Sequence, residues 1–387
     1  MKSVHAVILD DHITPYRLAL FERLASEGLR TTVLFCSRRL PEREWAVPDR
    51  FGFAAEILPG WVLRLPRHSF RRDRRTVIVN FNLLWRLIRL NPDVVVGYAF
   101  SLPGWTAFLY ARLFRKPYVA WSTDTLHTAS NLDAIQRLSR RVILRASALC
   151  LTPSLQGVEQ FRTFGVPPER IRVAPQTMPA SFGEQADRAR AKSDTYVHRQ
   201  GLTGKVILYV GFLTRSKGMV DLIQAFSKVV KEYGEVQLLL VGSGPLDNTI
   251  VHERRRLGLD DRIHLAGFVQ PSSLPDVYAG ADVFVFPTHG DTFGVVVAEA
   301  IACGLPVVCS RYAGTAGMLV EDGFNGFIVD PRNHRQMKDA LLSLLRRDDL
   351  RSRMAQASQE MARRWNCDEA AARFRAALVD AGRPSPG

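Results

Sequence analysis

Short apolar runs alternate with longer segments of helical periodicity along the whole chain. The runs are HAVILD, TTVLFC, DVVVGY, PYVAWS, ALCLTP and IRVAP in the first half, and KVILYVGF, VQLLLVG, IHLAGF, VFVFP, PVVCS and FIVD in the second. Segments between them, such as MVDLIQAFSKVVKEYG, place apolar residues three and four positions apart, as amphipathic helices do. Continuous apolar strands that alternate with helices indicate parallel sheets covered on both faces. We therefore predict an α/β protein with two doubly wound parallel-sheet domains.

A polar stretch with little strand character, residues 182–204, separates the two sets of strands. We predict a first domain at 1–181, a linker at 182–204 and a second domain at 205–364. The length of 387 residues agrees with two domains, because it exceeds what one ordinary core accommodates. Ligands of open α/β sheets bind beyond the carboxyl ends of the strands. Residues that follow strands are therefore the candidates for a site in a cleft between the domains.

Charge is unevenly distributed along the chain, whose net charge is +14. Residues 1–180 contain 26 Lys and Arg against 14 Asp and Glu, whereas the remainder contains 26 against 24. The first half thus has a net charge of +12 and the second half +2. We expect the first half to bind an anionic partner or surface.

The compartment is inferred from cysteine usage and from apolar stretches. Five cysteines without a CxxC spacing are interpreted as small buried residues in a reducing environment. The first apolar run ends at Asp10, too early for a signal peptide. The uncharged window 94–111 contains Pro103 and Gly104 at its centre, so strand, turn and helix fit it better than a membrane helix. We predict a cytoplasmic protein, and a peripheral position on the cytoplasmic face of a membrane as an extension of that prediction.

Two turns that follow strands of the second half suit a phosphate group. Lys217 and Gly218 stand where a helix begins, and the amide groups and positive end of a helix favour an anion there. The alternative for Lys217 is an ordinary solvated side chain. The turn GSGPL, at 242–246, allows close approach of the backbone to a ligand, although an ordinary strand-to-helix turn has the same composition.

Two carboxylates stand eight positions apart in HGDTFGVVVAEAIACGLPVV, residues 289–308. Asp291 precedes the predicted helix and Glu299 lies inside it, among valines and alanines. A helix-capping role would explain Asp291 alone. It would not explain a glutamate on an apolar segment, which requires a polar partner. A diphosphate on the helix end, with a sugar on one side and a ribose on the other, would give each carboxylate vicinal hydroxyls to accept from.

The segment 283–308 resembles the acid-x7-acid motif of family-4 glycosyltransferases with the GT-B fold. Further matches occur in order on both sides: YVGFLTRSKG, LLLVGSGP, HLAGFV, VYAGADVFVFPT, GLPVVCS and EDGFNGFIVDP. In the first half, ASALCLTPSLQGVEQFRTFGVPPERIRVAPQ resembles the last strand-helix unit of the first domain. The resemblance implies two Rossmann-like domains that face a central cleft, with residues 365–387 as a helix that packs back toward the N-terminal domain.

The resemblance also implies the donor site. Lys217 would bind the diphosphate of a nucleotide sugar, Asp291 the hydroxyls of the transferred sugar, and Glu299 the ribose hydroxyls. The implied donor-binding set is Gly211, Arg215, Lys217, Phe268, Val269, Thr292, Phe293, Gly294, Val295 and Glu299. Several positions depart from the family pattern. Phe212 stands where many relatives have Arg, and Asp291 where Glu is usual. The Gly-Gly loop after the first strand is absent, GTAGM replaces the usual glycine pair and Glu near 314–318, and Thr123 and Asp124 follow PYVAWS where relatives often have a histidine.

Asp291, Asp124 and His12 are the candidate catalytic residues. Asp124 and His12 follow first-half strands, which places them on the acceptor side if the fold is as expected. A lone histidine in such a position is as often structural as functional. No Asp-x-Asp pair occurs in the chain, so we predict metal-independent transfer without a further cofactor. Retention of the anomeric configuration is implied by the resemblance alone.

The predicted partners are a nucleotide-sugar donor, a glycan or lipid-linked acceptor and an anionic membrane surface, and we expect no nucleic acid. Residues 61–75 hold six arginines and one aspartate among aromatic and leucine side chains, which suits an anionic bilayer. A solvated run of charge is the alternative. No nucleic-acid motif accompanies the patch.

Three classes of function follow from these patterns. A retaining glycosyltransferase of cell-surface polysaccharide or glycolipid synthesis fits best. A catalytically inactive subunit that keeps the fold and binds a nucleotide sugar is the second class. A dinucleotide-dependent oxidoreductase ranks below both, because no G-x-G-x-x-G with a later acidic residue is present.

Overall fold

The computed structural model describes residues 4–40, 45–66, 74–98, 100–130, 132–192 and 195–383. It divides into two compact units, one formed by residues 1–176 and 367–387 and the other by residues 177–366. Within the described residues, no helix has both the length and the apolar character that a bilayer-spanning segment needs.

Unit 1 contains one large sheet, one hairpin and six helices in its described part. Its strands are β1 (His5–Asp10), β2 (Arg30–Phe35), β3 (Ala55–Ile57), β4 (Gly60–Pro66), β5 (Arg74–Asn80), β6 (Val94–Tyr98), β7 (Tyr118–Trp121), β8 (Leu149–Thr152) and β9 (Ile171–Val173). Its helices are α1 (Pro15–Ser26), α2 (Leu83–Leu90), α3 (Leu102–Leu113), α4 (Ala134–Ala146), α5 (Leu155–Thr163) and α14 (Cys367–Gly382).

Seven parallel strands of unit 1 lie in the order β3-β2-β1-β6-β7-β8-β9, and β4 and β5 form a separate antiparallel hairpin. Alternate residues of β1 enter different cores, because successive side chains of a strand point to opposite faces. Ala6 and Ile8 pack with α1 and α14, whereas Val7 and Leu9 pack with α2 to α5. Phe374 of α14 meets Trp121 of β7 edge to face, with ring centroids 5.1 Å apart.

Unit 2 contains a six-stranded parallel sheet in the order β12-β11-β10-β13-β14-β15. The strands are β10 (Lys205–Val210), β11 (Val236–Val241), β12 (Ile263–Gly267), β13 (Val283–Phe286), β14 (Val307–Ser310) and β15 (Gly326–Val329). The helices are α6 (Ala180–Ala191), α7 (Tyr196–Arg199), α8 (Met219–Glu232), α9 (Asp247–Arg256), α10 (Leu274–Ala279), α11 (Val295–Ala302), α12 (His334–Arg346) and α13 (Asp348–Arg364).

The predicted α/β class with two parallel sheets is confirmed, but the linker at 182–204 is wrong. Residues 180–191 form α6, which packs against α10 and α11 of unit 2. Phe182 and Ala186, one helical turn apart, are buried in the core of that unit. The polar outer face of α6 conceals these two core positions in the sequence. The chain therefore passes between units at Gln176–Thr177 and again at Asn366–Cys367.

Candidate functional site

The turns that follow β10 and β13 pack directly against each other. Gly218 ends a 3₁₀ turn (Arg215–Lys217) with a left-handed φ of 74°. A Cβ at this position would lie 1.9 Å from the carbonyl oxygen of Pro287, so only glycine allows the approach. Because β10 and β13 are neighbours in the sheet, this contact sets the separation of the functional groups that follow them.

Lys217 and Asp291 meet across this contact as an ion pair between Nζ and Oδ2. The second carboxylate oxygen of Asp291, Oδ1, accepts a hydrogen bond of 3.1 Å from the backbone N–H of Phe293. Both side chains remain partly open to solvent, with 25% of Lys217 and 15% of Asp291 exposed. The sequence assigned these residues to the diphosphate and the sugar separately, whereas the structure joins them to each other.

Helix α11 begins beside this pair without a side-chain cap. Gly294 is its N-cap, with a φ of 96°, and a Cβ there would lie 2.8 Å from the ring of Phe286. The first amide groups of a helix have no partner within the helix. The open start of α11, next to an ammonium group, is therefore suited to an anion.

Glu299 lies on α11, and only 8% of its surface is exposed. The hydroxyl of Tyr278, on α10, donates a 2.7 Å hydrogen bond to its Oε2. Burial raises the pKa of the Glu299 carboxyl to about 7, although the bond from Tyr278 acts in the opposite direction. A nearly buried carboxylate with one hydroxyl donor has remaining capacity to accept bonds from a ligand.

The other predicted donor residues lie at the same edge of the unit 2 sheet, after its strands. Gly211 follows β10 with a φ of 146°, and Arg215 is exposed on the 3₁₀ turn. Phe268 and Val269 follow β12, where Phe268 is 38% exposed. Thr292 is half-buried, whereas Phe293 is buried and Val295 starts α11. Their roles stay predictions.

A carboxylate with two histidines supports the loop that carries Asp291, and the sequence analysis missed it. Asp221 of α8 bonds His289 Nε2 through Oδ2 at 2.8 Å, and His334 Nε2 through Oδ1 at 2.9 Å. Partial burial raises the pKa of the Asp221 carboxyl, but the hydrogen bonds from both histidines outweigh burial and lower it overall. The three residues are far apart in sequence, and only the closeness of His289 to Asp291 hints at their role.

This cluster ties together the two turns that hold the ion pair. The backbone N–H of His289 donates to the carbonyl of Ser216 at 2.9 Å, and the hydroxyl of Thr288 donates to the same oxygen at 3.2 Å. Ser216 directly precedes Lys217. The side chain of His289 therefore anchors a segment whose backbone positions both Lys217 and Asp291.

In unit 1, Asp124 and His12 follow β7 and β1, as the strand pattern predicts. Arg140 holds the carboxylate of Asp124 with bonds of 3.0 Å from Nε and 2.9 Å from a terminal nitrogen. His12 is buried, and its ring stacks on Trp45 with centroids 6.3 Å apart.

A buried ion pair at the end of β1 escaped the sequence analysis. Arg17 pairs with Asp10 and donates a 2.8 Å bond to the hydroxyl of Tyr98, over whose ring its guanidinium lies at 4.1 Å. Burial raises the pKa of Asp10, against the opposing effect of Arg17. Burial also raises the pKa of Tyr98 to about 12. These residues form a buried charged cluster next to the loop that carries His12.

No group of three His, Cys, Asp or Glu side chains within the described part of the chain is arranged to hold a metal ion. Metal-independence itself stays a prediction. The basic stretch 61–75 lies partly outside the described residues, because residues 67–73 have no described structure.

Comparison with known families assigns both units. Residues 194–361 match the family described as glycosyl transferases group 1, and residues 13–177 match the glycosyl transferase 4-like domain. The chain belongs to the family-4 glycosyltransferases of the GT-B fold. The match in the second half includes the Lys217 turn and both carboxylates of the acid-x7-acid motif.

This glycosyltransferase is similar to D-inositol 3-phosphate glycosyltransferases. It is 31% identical over 239 residues to that of Xylanimonas cellulosilytica, which covers 60% of this chain and 56% of the relative. It is 26% identical over 386 residues to that of Acidothermus cellulolyticus, covering 91% and 82%. Its fold resembles that of Anabaena Alr3699/HepE in complex with UDP, with a TM-score of 0.76, 18% identity, and coverage of 97% and 99%.

Replacement of Glu299 by Gln should change how the stability of the glycosyltransferase depends on pH. The unfolded carboxyl loses its proton near pH 4.5, whereas the folded one keeps it to about pH 7. Between these values the unfolded state binds fewer protons, so the contribution of Glu299 to stability declines as pH rises. Denaturant unfolding from pH 5 to 8 should show wild type losing about 2–3 kcal/mol relative to Glu299→Gln. Glu360→Gln, at an exposed position, is the control, and parallel curves for all three proteins would contradict the assignment.

Removal of the Asp221 carboxylate should weaken nucleotide binding indirectly, because Asp221 positions the site and is not one of the residues proposed to bind the donor. In Asp221→Ala, the side chain of His289 loses the carboxylate that anchors it, so the segment that carries Asp291 is held less firmly against the Lys217 turn. We expect the dissociation constant for a nucleoside diphosphate to rise about tenfold by calorimetry. Asp339→Ala, at an exposed residue of α12, should bind as wild type does. A normal affinity in Asp221→Ala would show that the cluster does not position the site.

Proposed function

We propose that this glycosyltransferase transfers a sugar from a nucleotide diphosphate sugar to a hydroxyl of a glycan or lipid-linked acceptor. The reaction would retain the anomeric configuration, need no metal, and serve the synthesis of cell-surface polysaccharide or glycolipid. The observation that carries the proposal is the placing of Lys217, Asp291 and the uncapped start of α11 around one point, with Glu299 further along the same helix.

The diphosphate fits the positive side of this arrangement. Its oxygens would replace Asp291 as the partner of Lys217 Nζ and would accept hydrogen bonds from the first amide groups of α11. Asp291, released from the lysine, would then accept hydrogen bonds from hydroxyls of the transferred sugar. Donor binding would thus exchange the Lys217–Asp291 ion pair for two interactions, one between lysine and phosphate and one between aspartate and sugar.

Glu299 fits the ribose. Burial destabilises the charged form of a carboxylate unless it accepts hydrogen bonds, and two vicinal ribose hydroxyls can donate them. The complex of the structurally similar Anabaena protein with UDP supports a nucleotide ligand for this fold.

In the proposed reaction, the bond between the anomeric carbon and the diphosphate oxygen breaks, and an acceptor oxygen bonds to the same face of that carbon. The acceptor proton passes to an oxygen of the departing diphosphate. Lys217 and the α11 amides stabilise the charge that develops on this leaving group. Asp124, held by Arg140, would orient the acceptor or stabilise the positive charge on the sugar, and His12 would line the acceptor side.

The Asp291→Asn variant should separate nucleotide binding from sugar transfer. Loss of the carboxylate frees Lys217, so affinity for a nucleoside diphosphate should increase roughly three- to tenfold. Sugar transfer should fall, because the hydroxyls lose a charged acceptor. Glu299→Gln and Lys217→Ala should instead weaken nucleotide binding, and Asp339→Asn is the control. Calorimetry with UDP, GDP, ADP, TDP and CMP would identify the base, and weaker binding by Asp291→Asn would contradict the competition between donor and aspartate.

Product stereochemistry tests the retaining mechanism. An α-linked donor should give an α-linked first product by proton NMR, with full turnover in EDTA. Asp124→Asn should lower the rate without a glycosylated protein by mass spectrometry. A β product would refute retention, a sugar on Asp124 would establish double displacement, and loss of turnover in EDTA would refute the metal-free mechanism. Donor binding without hydrolysis or transfer would favour the inactive binding subunit.

A further inference from the structure

Three neighbouring helices of unit 1 carry seven arginines and no acidic residue. Helices α2, α3 and α4 cover the same face of the sheet, with Leu87, Phe108 and Leu144 among the side chains they bury there. Helix α3 packs on α2, and Trp105 Nε1 of α3 donates a 2.8 Å bond to the hydroxyl of Ser139 on α4. The three helices therefore form one continuous outer layer, which we call the α2–α4 face.

The outer side of the α2–α4 face is unusually apolar. Nine large apolar side chains on the three helices are between 42% and 81% exposed: Leu84, Trp85, Ile88, Leu102, Leu109, Leu113, Ile135, Leu138 and Val142. They repeat at helical spacing, as in Leu109 and Leu113 or Leu138 and Val142, so they form stripes and not isolated residues. Phe81, which directly precedes α2, and Trp61 of the β4–β5 hairpin are both exposed and pack edge to face, with ring centroids 4.7 Å apart.

The opposite face of the same sheet provides an internal comparison. Helices α1 and α14 carry four arginines and four acidic residues. None of the large apolar side chains that are exposed in the described structure belongs to either helix. Of the two helical layers compared, only α2 to α4 combine exposed large apolar side chains with an excess of arginine, so the composition of the unit as a whole does not explain the pattern.

Most arginines of the α2–α4 face are not neutralised within the protein. Arg86 pairs with Glu56, and Arg140 pairs with Asp124. Five others are exposed and make no ion pair with a described residue: Arg89, Arg112, Arg137, Arg141 and Arg145. The guanidinium of Arg89 lies 5.1 Å from the ring of Trp85, so a positive charge and an exposed aromatic side chain are adjacent on this face.

We propose that the α2–α4 face docks on the surface of an anionic lipid bilayer. Leucine, isoleucine and tryptophan side chains would enter the boundary between headgroups and acyl chains, and the flanking arginines would contact lipid phosphates. Charge complementarity selects this occupant, because a second copy of the face would oppose arginine to arginine.

Vesicle binding tests the α2–α4 face directly. The full-length protein should co-sediment with vesicles of phosphatidylglycerol and phosphatidylcholine but not with phosphatidylcholine alone, and binding should weaken as salt rises. Replacing Arg112, Arg137 and Arg141 by Gln should lower the partition coefficient on the order of 100-fold. Replacing Leu113, Ile135 and Leu138 by Ser should lower it at least about tenfold, since apolar burial adds to charge.

Matched controls distinguish a specific face from general basicity. Arg353, Arg363 and Arg375 are exposed elsewhere, and their triple replacement by Gln removes the same charge. This control should bind vesicles nearly as wild type does, and all variants should keep the melting temperature and nucleotide affinity. Equal binding to neutral and anionic vesicles, or an equal loss in the control, would overturn the proposal. Self-association in sedimentation velocity that only the serine variant abolishes, with vesicle binding unchanged, would assign the face to a protein interface instead.

Discussion

The close contact of Gly218 with the carbonyl of Pro287 is the constraint on which the donor site depends. It holds the turns that follow β10 and β13 closer together than any residue with a Cβ allows. Lys217 stands directly before this glycine, and Asp291 stands four residues after Pro287. The Lys217–Asp291 ion pair spans the two segments that this contact brings together, and the bond between His289 and Asp221 links the same two segments.

The charged groups of the site are held by interactions that a donor ligand could replace. Asp291 is satisfied by a lysine and a backbone amide, both of which are groups that a phosphate also binds. Glu299 is held in a nearly buried position where its charge is costly, as its raised pKa indicates. A ligand that brings phosphate to Lys217 and hydroxyl groups to the two carboxylates would replace the ion pair of Asp291 and supply hydrogen-bond donors to Glu299. A pKa raised by burial, as at Glu299, is common at functional sites.

Unit 1 uses the same architecture differently on its two faces. The face covered by α1 and α14 is electrostatically mixed and is joined by an ion pair of 2.8 Å between Arg23 and Asp368. The α2–α4 face has no acidic residue on its helices and exposes its apolar side chains. A parallel sheet needs apolar cover on both faces for stability, but it does not require apolar residues on the outer side of that cover. The outer residues of α2 to α4 therefore require a reason beyond folding.

The sequence by itself determined the parallel-sheet class, the two-unit organisation and the residues that follow the second-half strands, because alternating apolar runs and glycine turns are local patterns. It misassigned α6 to a linker, since two buried positions on a polar helix give little periodicity. Only the tertiary structure joined Lys217 to Asp291, brought Asp221, His289 and His334 together, and placed Arg17 on Asp10 and Tyr98. It also decided that the exposed residues of three separate helices form one surface. Such groupings depend on strand order and close backbone packing between segments far apart in the chain, and neither is encoded in the spacing of any single segment.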